Sequence, residues 1–389
     1  MKKIFGFQKN IFYMGLVSFF TDMSSEMIYP LLPVFLTNVL KAPMTFVGLI
    51  EGIAESTASI LKLFSGWLSD KLGKRKLFVS IGYTLSSICR PLVSLAAYPW
   101  HVLLVRFADR VGKGIRTAPR DALIADTCNP DEKGKAFGFN RAMDHAGAIA
   151  GPAIATGLLL YFTDNYRLVF ALAFIPAIAA IFVVLFLVKE KRPEQNCPPQ
   201  PLKLTLKIFD NKFKTYLLVI GIFTLGNSSD AFLLLRAKDL GISITLLPLL
   251  WIVLHITKML SSMPGGMLSD RIGRKKVIIA GWILYCLTYF GFAWASLPVH
   301  IWVLFAVYGF FYGLTESVEK AFVADLVSSD IRGSAYGIYN AVIGIVALPA
   351  SVSMGFLWEK FGVVPAFSLG AGLALLSAIL LLFTVKSNN

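Results

Sequence analysis

The feature that most constrains this chain is a charged turn that occurs twice, 200 positions apart. Its first copy, over 66–76, reads Gly-Trp-Leu-Ser-Asp-Lys-Leu-Gly-Lys-Arg-Lys, and its second, over 266–276, reads Gly-Met-Leu-Ser-Asp-Arg-Ile-Gly-Arg-Lys-Lys. Each copy lies between two long apolar runs, with glycines where the backbone must bend or pack closely. The chain is therefore predicted to be an internal duplication in which each turn joins two membrane helices.

Hydropathy supports this interpretation. Of the 389 residues, 56% are hydrophobic, and the apolar runs repeatedly reach the roughly 20 residues that a helix needs to cross a bilayer. The runs predict an all-α membrane protein with twelve transmembrane helices in two pseudo-symmetric six-helix bundles, 1–188 and 215–389. Between them, the polar and proline-rich segment 189–214 is predicted to be a cytoplasmic linker.

The repeat extends beyond the two turns. Ser-Ser-Glu at 24–26 matches Ser-Ser-Asp at 228–230, and Ala-Asp at 125–126 matches Ala-Asp at 324–325. In transporters built from repeats, the substrate site lies between the repeats near the middle of the membrane. We therefore expect two similar bundles with a shared central cavity.

The net charge of +14 does not indicate nucleic-acid binding, because the basic residues lie in short turns between apolar runs. The positive-inside rule explains them better. It predicts an integral multi-pass protein of the cytoplasmic (inner) membrane with both termini cytoplasmic. The four cysteines fall in apolar helices or predicted cytoplasmic segments, so no disulfide is expected.

The paired turns resemble the loop signature of the major facilitator superfamily of secondary transporters. The stretch Arg-Val-Gly-Lys-Gly at 110–114 is similar to that superfamily's fourth-helix pattern Arg-x-x-Gln-Gly, whose arginine is associated with proton coupling. Lys113 replaces the usual glutamine. The resemblance implies a transporter that alternates between inward-open and outward-open states.

A second motif resembles the superfamily's antiporter signature. Gly138, Gly147, Gly151 and Pro152 follow the spacing Gly-x8-Gly-x3-Gly-Pro, which suits a helix pivot because small residues allow close helix approach and proline bends the helix. Where the pattern continues with two glycines, the chain has alanine and threonine, so the match is partial. Ordinary close packing is the alternative. The motif implies the proton-coupled drug or metabolite antiporter branch.

Ionisable residues at membrane depth are costly and therefore mark candidate functional positions. The proton-coupling candidates are Asp22, Glu26, Glu55, Asp230 and Arg110. The substrate-cavity candidates are Arg106, Arg110, Lys113, His255 and Glu316. The gating candidates lie in or near the signature turns and at helix ends that the repeat places beside them, and are Gly66, Asp70, Gly73, Arg75, Asp126, Gly266, Asp270, Gly273, Arg274 and Asp325.

Within the first set, Glu26 and Arg110 are the predicted coupling pair. Asp22 and Glu26 share one helix face because they are four residues apart, and Glu26 matches the acidic Asp230 of the second repeat. A helix movement that joins or separates Glu26 and Arg110 would change how readily the carboxyl binds a proton.

Motifs for other chemistry are missing from the sequence. It has no Gly-x-x-x-x-Gly-Lys-Ser/Thr loop, no Cys-x-x-Cys and no His-Glu-x-x-His, so ATP hydrolysis and metal-site chemistry lack support. We predict no enzyme activity, no cofactor and no metal, with a proton gradient as the energy source.

The sequence therefore predicts a secondary transporter that exports a small molecule in exchange for protons and functions as a monomer. The alternative is a proton-coupled importer of an organic anion, favoured by the arginines and lysines of the fourth span, because guanidinium groups bind carboxylate or phosphate well. A non-transporting sensor or scaffold is disfavoured, because the linker 189–214 is too short to fold as an output domain.

Overall fold

The computed structural model describes residues 3–127, 133–162, 165–190, 206–327 and 331–384. Nearly all of this chain is helical. Within these ranges, one short antiparallel hairpin, in which Lys3–Ile4 (β1) pairs with Phe7–Gln8 (β2), precedes the first helix. The structure thus agrees with the predicted all-α class.

The α-helices up to the linker share an alternation of long helices and short turns. They are α1 (Lys9–Ile28), α2 (Leu32–Val34), α3 (Met44–Leu72), α4 (Arg75–Leu92), α5 (Pro99–Thr127), α6 (Lys133–Tyr161), α7 (Tyr166–Leu172) and α8 (Phe174–Phe182). Two π-helical segments, Phe35–Val39 and Val183–Leu187, extend α2 and α8, and the 3₁₀ turn Val93–Leu95 extends α4.

The helices after the linker repeat that alternation. They are α9 (Asn211–Gly226), α10 (Ala231–Asp239), α11 (Leu247–Ile272), α12 (Arg274–Trp294), α13 (Pro298–Leu326), α14 (Arg332–Phe361) and α15 (Val363–Thr384). Short 3₁₀ turns, Leu206–Ile208 and Ile244–Leu246, precede α9 and α11.

Nine helical segments of the described chain are long and apolar enough to cross a membrane. Helices α1, α5 and α6 are also at least 20 residues long, but polar and charged residues lower their hydropathy, so they are not among the nine. The presence of many membrane-spanning helices is therefore supported. The predicted total of twelve in two bundles stays a prediction.

The chain divides into two compact units. The first unit comprises Met1–Phe35 and Thr57–Pro201, and the second comprises Leu36–Ser56 and Leu202–Asn389. Helix α3 therefore contributes its first part to the second unit. The predicted boundary within 189–214 stays a prediction.

Close backbone packing explains why the first part of α3 groups with the second unit. A Cβ atom built on Gly52 would lie 2.8 Å from Leu348 Cα of α14, and one built on Gly355 would lie 2.9 Å from Thr45 Cα. At the start of α3, the Thr45 hydroxyl donates to Glu359 Oε2 at 2.8 Å. Only glycine permits the two helix backbones to approach this closely.

The apolar runs predict continuous first and seventh spans over 11–38 and 215–236, and both are interrupted in the structure. The first, 11–38, breaks after Ile28, where Pro30 and Pro33 cannot donate backbone hydrogen bonds. The seventh, 215–236, breaks at 227–230, between α9 and α10. Broken helices are tolerated at membrane depth where other groups satisfy the freed backbone, and they commonly accompany binding sites.

Glycine occupies the same position in both signature turns for the same local reason. Gly73 has a φ of 63° and Gly273 a φ of 95°, in the region that residues with a side chain rarely adopt. No heavy atom lies within 4 Å of a Cβ atom built on either glycine. Backbone conformation, and not crowding, therefore explains glycine at both positions.

In each unit, an arginine side chain donates hydrogen bonds to backbone carbonyls just beyond the C-terminus of one long helix. In the first unit, Arg167 Nη2 donates to the carbonyl of Ala96 at 2.8 Å, beyond α4. In the second, Arg236 Nη2 donates to the carbonyl of Ala295 at 2.6 Å, beyond α12. These bonds satisfy carbonyls that a helix leaves unpaired at its C-terminus.

Candidate functional site

A buried carboxylate surrounded by arginines lies within the first unit. Asp109 of α5 is 3% exposed. Its Oδ1 is 3.1 Å from Arg90 Nε of α4, and its Oδ2 is 3.5 Å from Arg110 Nε and 3.9 Å from Arg106 Nη1. Three guanidinium groups thus share one carboxylate in a protein interior, where an uncompensated charge would be very costly.

Helix spacing places these groups together. Arg106 and Arg110 flank Asp109 on α5, and Arg90 reaches across from the C-terminal end of α4. Arg90 Nη1 also donates to the Thr21 carbonyl of α1 at 2.8 Å, so the cluster ties three helices together. A cleft beside it is lined by Ser25, Ile28, Arg90, Val93, Val105, Arg106 and Asp109.

A second polar chain continues along α5. The Arg116 guanidinium donates from Nη1 to Ser86 Oγ at 2.5 Å, and Ser86 Oγ donates to the backbone carbonyl of Asp109 at 2.9 Å. The same guanidinium lies 4.5 Å from the centroid of the Tyr83 ring. Arg116 is therefore held by a hydroxyl and a cation–π contact inside the unit.

The predicted acidic residues of α1 belong to a group that also includes Asp144 of α6. Asp22 is half-buried and lies within electrostatic reach of Glu26, Asp144, Lys113 and Arg116. The group thus contains three carboxylates from two helices and two cations from a third. Repulsion among the carboxylates makes its energy sensitive to the position of each helix.

Asp144 also lies near two further cations. Its Oδ1 lies 3.9 Å from Arg120 Nη1, and its Oδ2 lies 3.8 Å from Arg141 Nη1. Arg120 also pairs with Asp121 at 2.9 Å. Asp144 was not among the predicted site residues.

In the second unit, Asp230 occupies the position just before α10. It accepts hydrogen bonds from the Tyr308 hydroxyl at 2.8 Å and from the Tyr312 hydroxyl at 2.9 Å. Nearby, Lys258 Nζ of α11 lies 2.8 Å from Glu316 Oε2 of α13 and 4.2 Å from the centroid of the Tyr312 ring. Two predicted residues, Asp230 and Glu316, are therefore linked through the same tyrosine and lysine.

Two further predicted residues, His255 and Glu55, also belong to the second unit. The His255 ring packs edge-on against Trp251 at a centroid distance of 5.4 Å, and Glu55 is exposed. Glu319, which was not a site candidate, is buried and accepts hydrogen bonds at 2.9 Å from Trp282 Nε1 and from the Tyr339 hydroxyl.

The gating candidates form equivalent ion pairs in the two units. In the first, Arg75 contacts Asp126 and donates to the Ala122 carbonyl at 3.1 Å. In the second, Arg274 Nε lies 2.8 Å from Asp325 Oδ2, and Arg274 Nη2 lies 3.9 Å from Asp270 Oδ1.

The remaining positions of the signature turns are only partly described. Gly66 packs near Ala118, whose Cβ is 3.1 Å from a Cβ built on the glycine, whereas Gly266 has open space around it. The side chain of Asp70 lies outside the described residues. The gating role stays a prediction.

The predicted pivot lies where α6 crosses α1. A Cβ built on Gly147 would lie 3.0 Å from Met23 N, and one built on Gly151 would lie 3.1 Å from Met27 N. Pro152 follows within α6, and the surroundings of Gly138 lie outside the described residues. The glycines therefore allow close packing of two helices within the first unit.

Sequence reasoning missed further features of these sites. Arg90 and Asp109 were not candidates, and no spacing rule connects them because they are on different helices. The tyrosines at 308 and 312 had a usable signal, since residues four apart share one helix face.

Ion pairs buried among the helices of a polytopic membrane protein mark candidate transport pathways, and secondary transporters share this feature. The family model described as Major Facilitator Superfamily matches residues 14–253 and 216–389. The chain belongs to the major facilitator superfamily, and the predicted resemblance is confirmed.

Comparisons with individual proteins agree with this family assignment. An uncharacterised MFS-type transporter of Methanocaldococcus jannaschii is 38% identical over 381 residues, covering 96% of this chain and 94% of the relative. Multidrug resistance protein MdtH of Yersinia pestis is 24% identical over 337 residues, covering 85% and 82%. The crystal structure of nucleoside transporter NupG shares the fold, with a TM-score of 0.78 and 16% identity, over 98% of this chain and 100% of that one.

Proposed function

We propose that this transporter is a proton-driven exporter, in which substrate leaves the cell in exchange for entering protons. It works by alternating access, with twelve helices in two bundles and both termini on the cytoplasmic side of the inner membrane. It requires no cofactor other than the proton gradient and functions as a monomer.

The acidic group of the first unit carries this proposal. Asp22 is repelled by both Asp144 and Glu26, and a proton on Asp22 relieves that repulsion. Lys113 and Arg116 on α5 oppose the repulsion. A shift of α1 or α6 relative to α5 changes this balance, so proton binding and helix position are coupled.

Two observations support export over import. The close crossing of α6 on α1 at Gly147 and Gly151 is the packing that the antiporter signature implies. The relative MdtH is named a multidrug resistance protein, and removal of a drug from the cell is one way to resist it. Both observations favour exchange of an outgoing small molecule for protons.

The test begins with a substrate. Purified protein is screened against a drug and metabolite library for thermal stabilisation, because a ligand that binds the folded state raises the melting temperature. Each stabilising compound is then assayed in proteoliposomes with an imposed pH gradient. An acidic interior should drive uptake by an antiporter, whereas an acidic exterior would drive uptake by a symporter.

Glu26→Gln should abolish the gradient-driven flux and spare substrate binding, because glutamine keeps the shape of the side chain but cannot cycle a proton. The control is Glu190→Gln, which changes an exposed glutamate that accepts a hydrogen bond from the Lys76 amide at 3.0 Å. Normal pH dependence in the Glu26 variant would reject Glu26 as the coupling site. Uptake driven only by an acidic exterior would reject export.

A proton-coupled importer of an organic anion is the second candidate. The observation that favours it is the arginine cluster, in which Arg90, Arg106 and Arg110 share the single carboxylate of Asp109 beside a cleft. Guanidinium groups bind carboxylate or phosphate through paired hydrogen bonds. Stabilisation by organic anions alone, with uptake driven by an acidic exterior, would favour this candidate.

A further inference from the structure

The second unit presents a carboxylate that is held by phenols. The hydroxyls of Tyr308 and Tyr312 donate to separate oxygens of Asp230, at 2.8 Å and 2.9 Å. Among the described residues, no cation comes within ion-pair distance of Asp230, which is half-buried. Each carboxylate oxygen accepts more than one hydrogen bond, so Asp230 retains acceptor capacity.

Aromatic rings surround this carboxylate. Tyr285 and Tyr289 stack with a centroid distance of 4.1 Å, and Tyr289 lies 6.1 Å from Tyr308. Both of the stacked tyrosines are within electrostatic reach of Asp230. The Tyr289 hydroxyl lies within hydrogen-bonding reach of the hydroxyls of Ser228, Tyr285 and Tyr308. A connected group of hydroxyls thus lies beside the carboxylate.

An ammonium group of the chain itself, that of Lys258, lies next to these tyrosines. Lys258 Nζ lies over the Tyr312 ring and 2.8 Å from Glu316, with 19% and 31% of the two side chains exposed. Lys258 and Glu51 both act electrostatically on Asp230, with opposite signs. In this unit, therefore, the Glu316 carboxylate and the face of the Tyr312 ring together hold the Lys258 ammonium.

We propose that Asp230, Tyr289, Tyr308 and Tyr312 form a subsite for the positively charged group of an organic cation, such as an amine or a quaternary onium ion. The carboxylate supplies the opposite charge, and the partly exposed Tyr312 ring supplies cation–π attraction. Tyr289 and Tyr308 are fully buried, and Tyr308 holds the carboxylate in place. An anion is repelled by the same carboxylate. This inference rests on the proposed export function and specifies its substrate class.

The experiment compares two ions that are similar in size and shape but opposite in charge, tetraphenylphosphonium and tetraphenylborate. Equilibrium binding of each is measured on the purified full-length protein without a pH gradient. Asp230→Asn should weaken phosphonium binding about tenfold or more and leave borate binding unchanged or stronger. Asp239→Asn, the same substitution at an exposed position of α10, should leave the binding of both ions at the wild-type level.

Unchanged phosphonium affinity in the Asp230→Asn variant would overturn the subsite, as would a wild-type protein that binds neither tetraphenylphosphonium nor benzyltrimethylammonium. If Asp230→Asn does not fold, Asp230→Glu and Tyr312→Leu replace it. The glutamate should retain most of the phosphonium affinity and the leucine should lose it, and the reverse result rejects the proposal.

The two proposals fail in different ways. Asp230-dependent cation binding without flux in a pH gradient would refute proton-driven export and leave the subsite standing. Gradient-driven export of a neutral or anionic compound, with no Asp230-dependent cation binding, would refute the subsite alone.

Discussion

Replacement of Asp109 by asparagine tests the arginine cluster of the first unit. The carboxylate is 3% exposed and lies 3.1 Å from Arg90 Nε and 3.5 Å from Arg110 Nε. Removing one partner from a buried ion pair costs about 3–5 kcal/mol, because the remaining charge is left uncompensated. Asparagine keeps the volume and one acceptor oxygen, so we expect a loss near the lower limit, about 3 kcal/mol.

The assay is equilibrium unfolding of the purified protein by sodium dodecyl sulfate in mixed micelles, followed by helical circular dichroism. Asp121→Asn is the matched control, because Asp121 also lies on α5 and pairs with Arg120 at 2.9 Å, but its side chain is 45% exposed. An ion pair with that exposure contributes less than about 1 kcal/mol. The two variants thus separate burial from charge removal alone.

The reasoning would be refuted if Asp109→Asn unfolded within about 1 kcal/mol of the wild type, since the buried guanidinium groups would then not depend on this carboxylate. A double-mutant cycle with Arg90→Gln gives an independent check. The double variant should lose less stability than the sum of the single variants, because the two groups that pair are removed together.

Three further predictions concern transport. Gly151→Leu should fold but lose most of its transport rate in proteoliposomes, because a side chain here meets the backbone of α1, whereas Gly157→Leu, with open space around it, should transport normally. Asp325→Asn removes the 2.8 Å ion pair with Arg274 and should increase labelling of cysteine probes near the signature turns. The free energy of unfolding should change by less than about 1 kcal/mol, because both side chains are partly exposed. Unchanged labelling would argue against a gating role. Arg110→Lys should lower gradient-driven flux and, if the substrate is the organic anion of the importer alternative, substrate affinity as well, because an ammonium cannot reproduce the two parallel bonds of a guanidinium; a loss of flux with normal affinity would restrict Arg110 to coupling.

The family could be predicted from sequence because its evidence is local and repeated. The turn at 66–76 returns at 266–276 with its glycines and charges in register, and one chance match would not recur half a chain away. Repetition also identified the positions of the ion pairs, since Asp126 and Asp325 occupy equivalent places. The structure brings them into contact with Arg75 and Arg274.

The arginine cluster was harder to predict because its members meet across helices. Arg90 and Asp109 are 19 residues apart, and a hydropathy pattern does not reveal how far each helix is rotated about its axis. Rotation is set by packing against neighbouring helices. For the same reason, the sequence did not indicate that the guanidinium of Arg110 lies beside the adjacent Asp109. The predicted coupling of Glu26 with Arg110 stays a prediction.

The tyrosines around Asp230 illustrate a different limit. The chain has 13 tyrosines and 31 phenylalanines, and aromatic residues in membrane helices commonly face lipid or other helices. Because aromatic residues are so numerous, the sequence did not distinguish the tyrosines at 308 and 312 from the others. The break at 227–230 was also missed, because an apolar run of sufficient length predicts a continuous helix.

The packing of α3 on α14 also bears on how the protein is made. Val352, whose Cα lies 3.2 Å from a Cβ built on Gly48, is synthesised about 300 residues later than that glycine, which at roughly 5–20 residues per second is about 15–60 seconds. Until then, the glycine face of α3 has no partner from α14 in the bilayer. A chain truncated before α14 should retain that exposed face, and coexpression of the missing C-terminal helices should cover it.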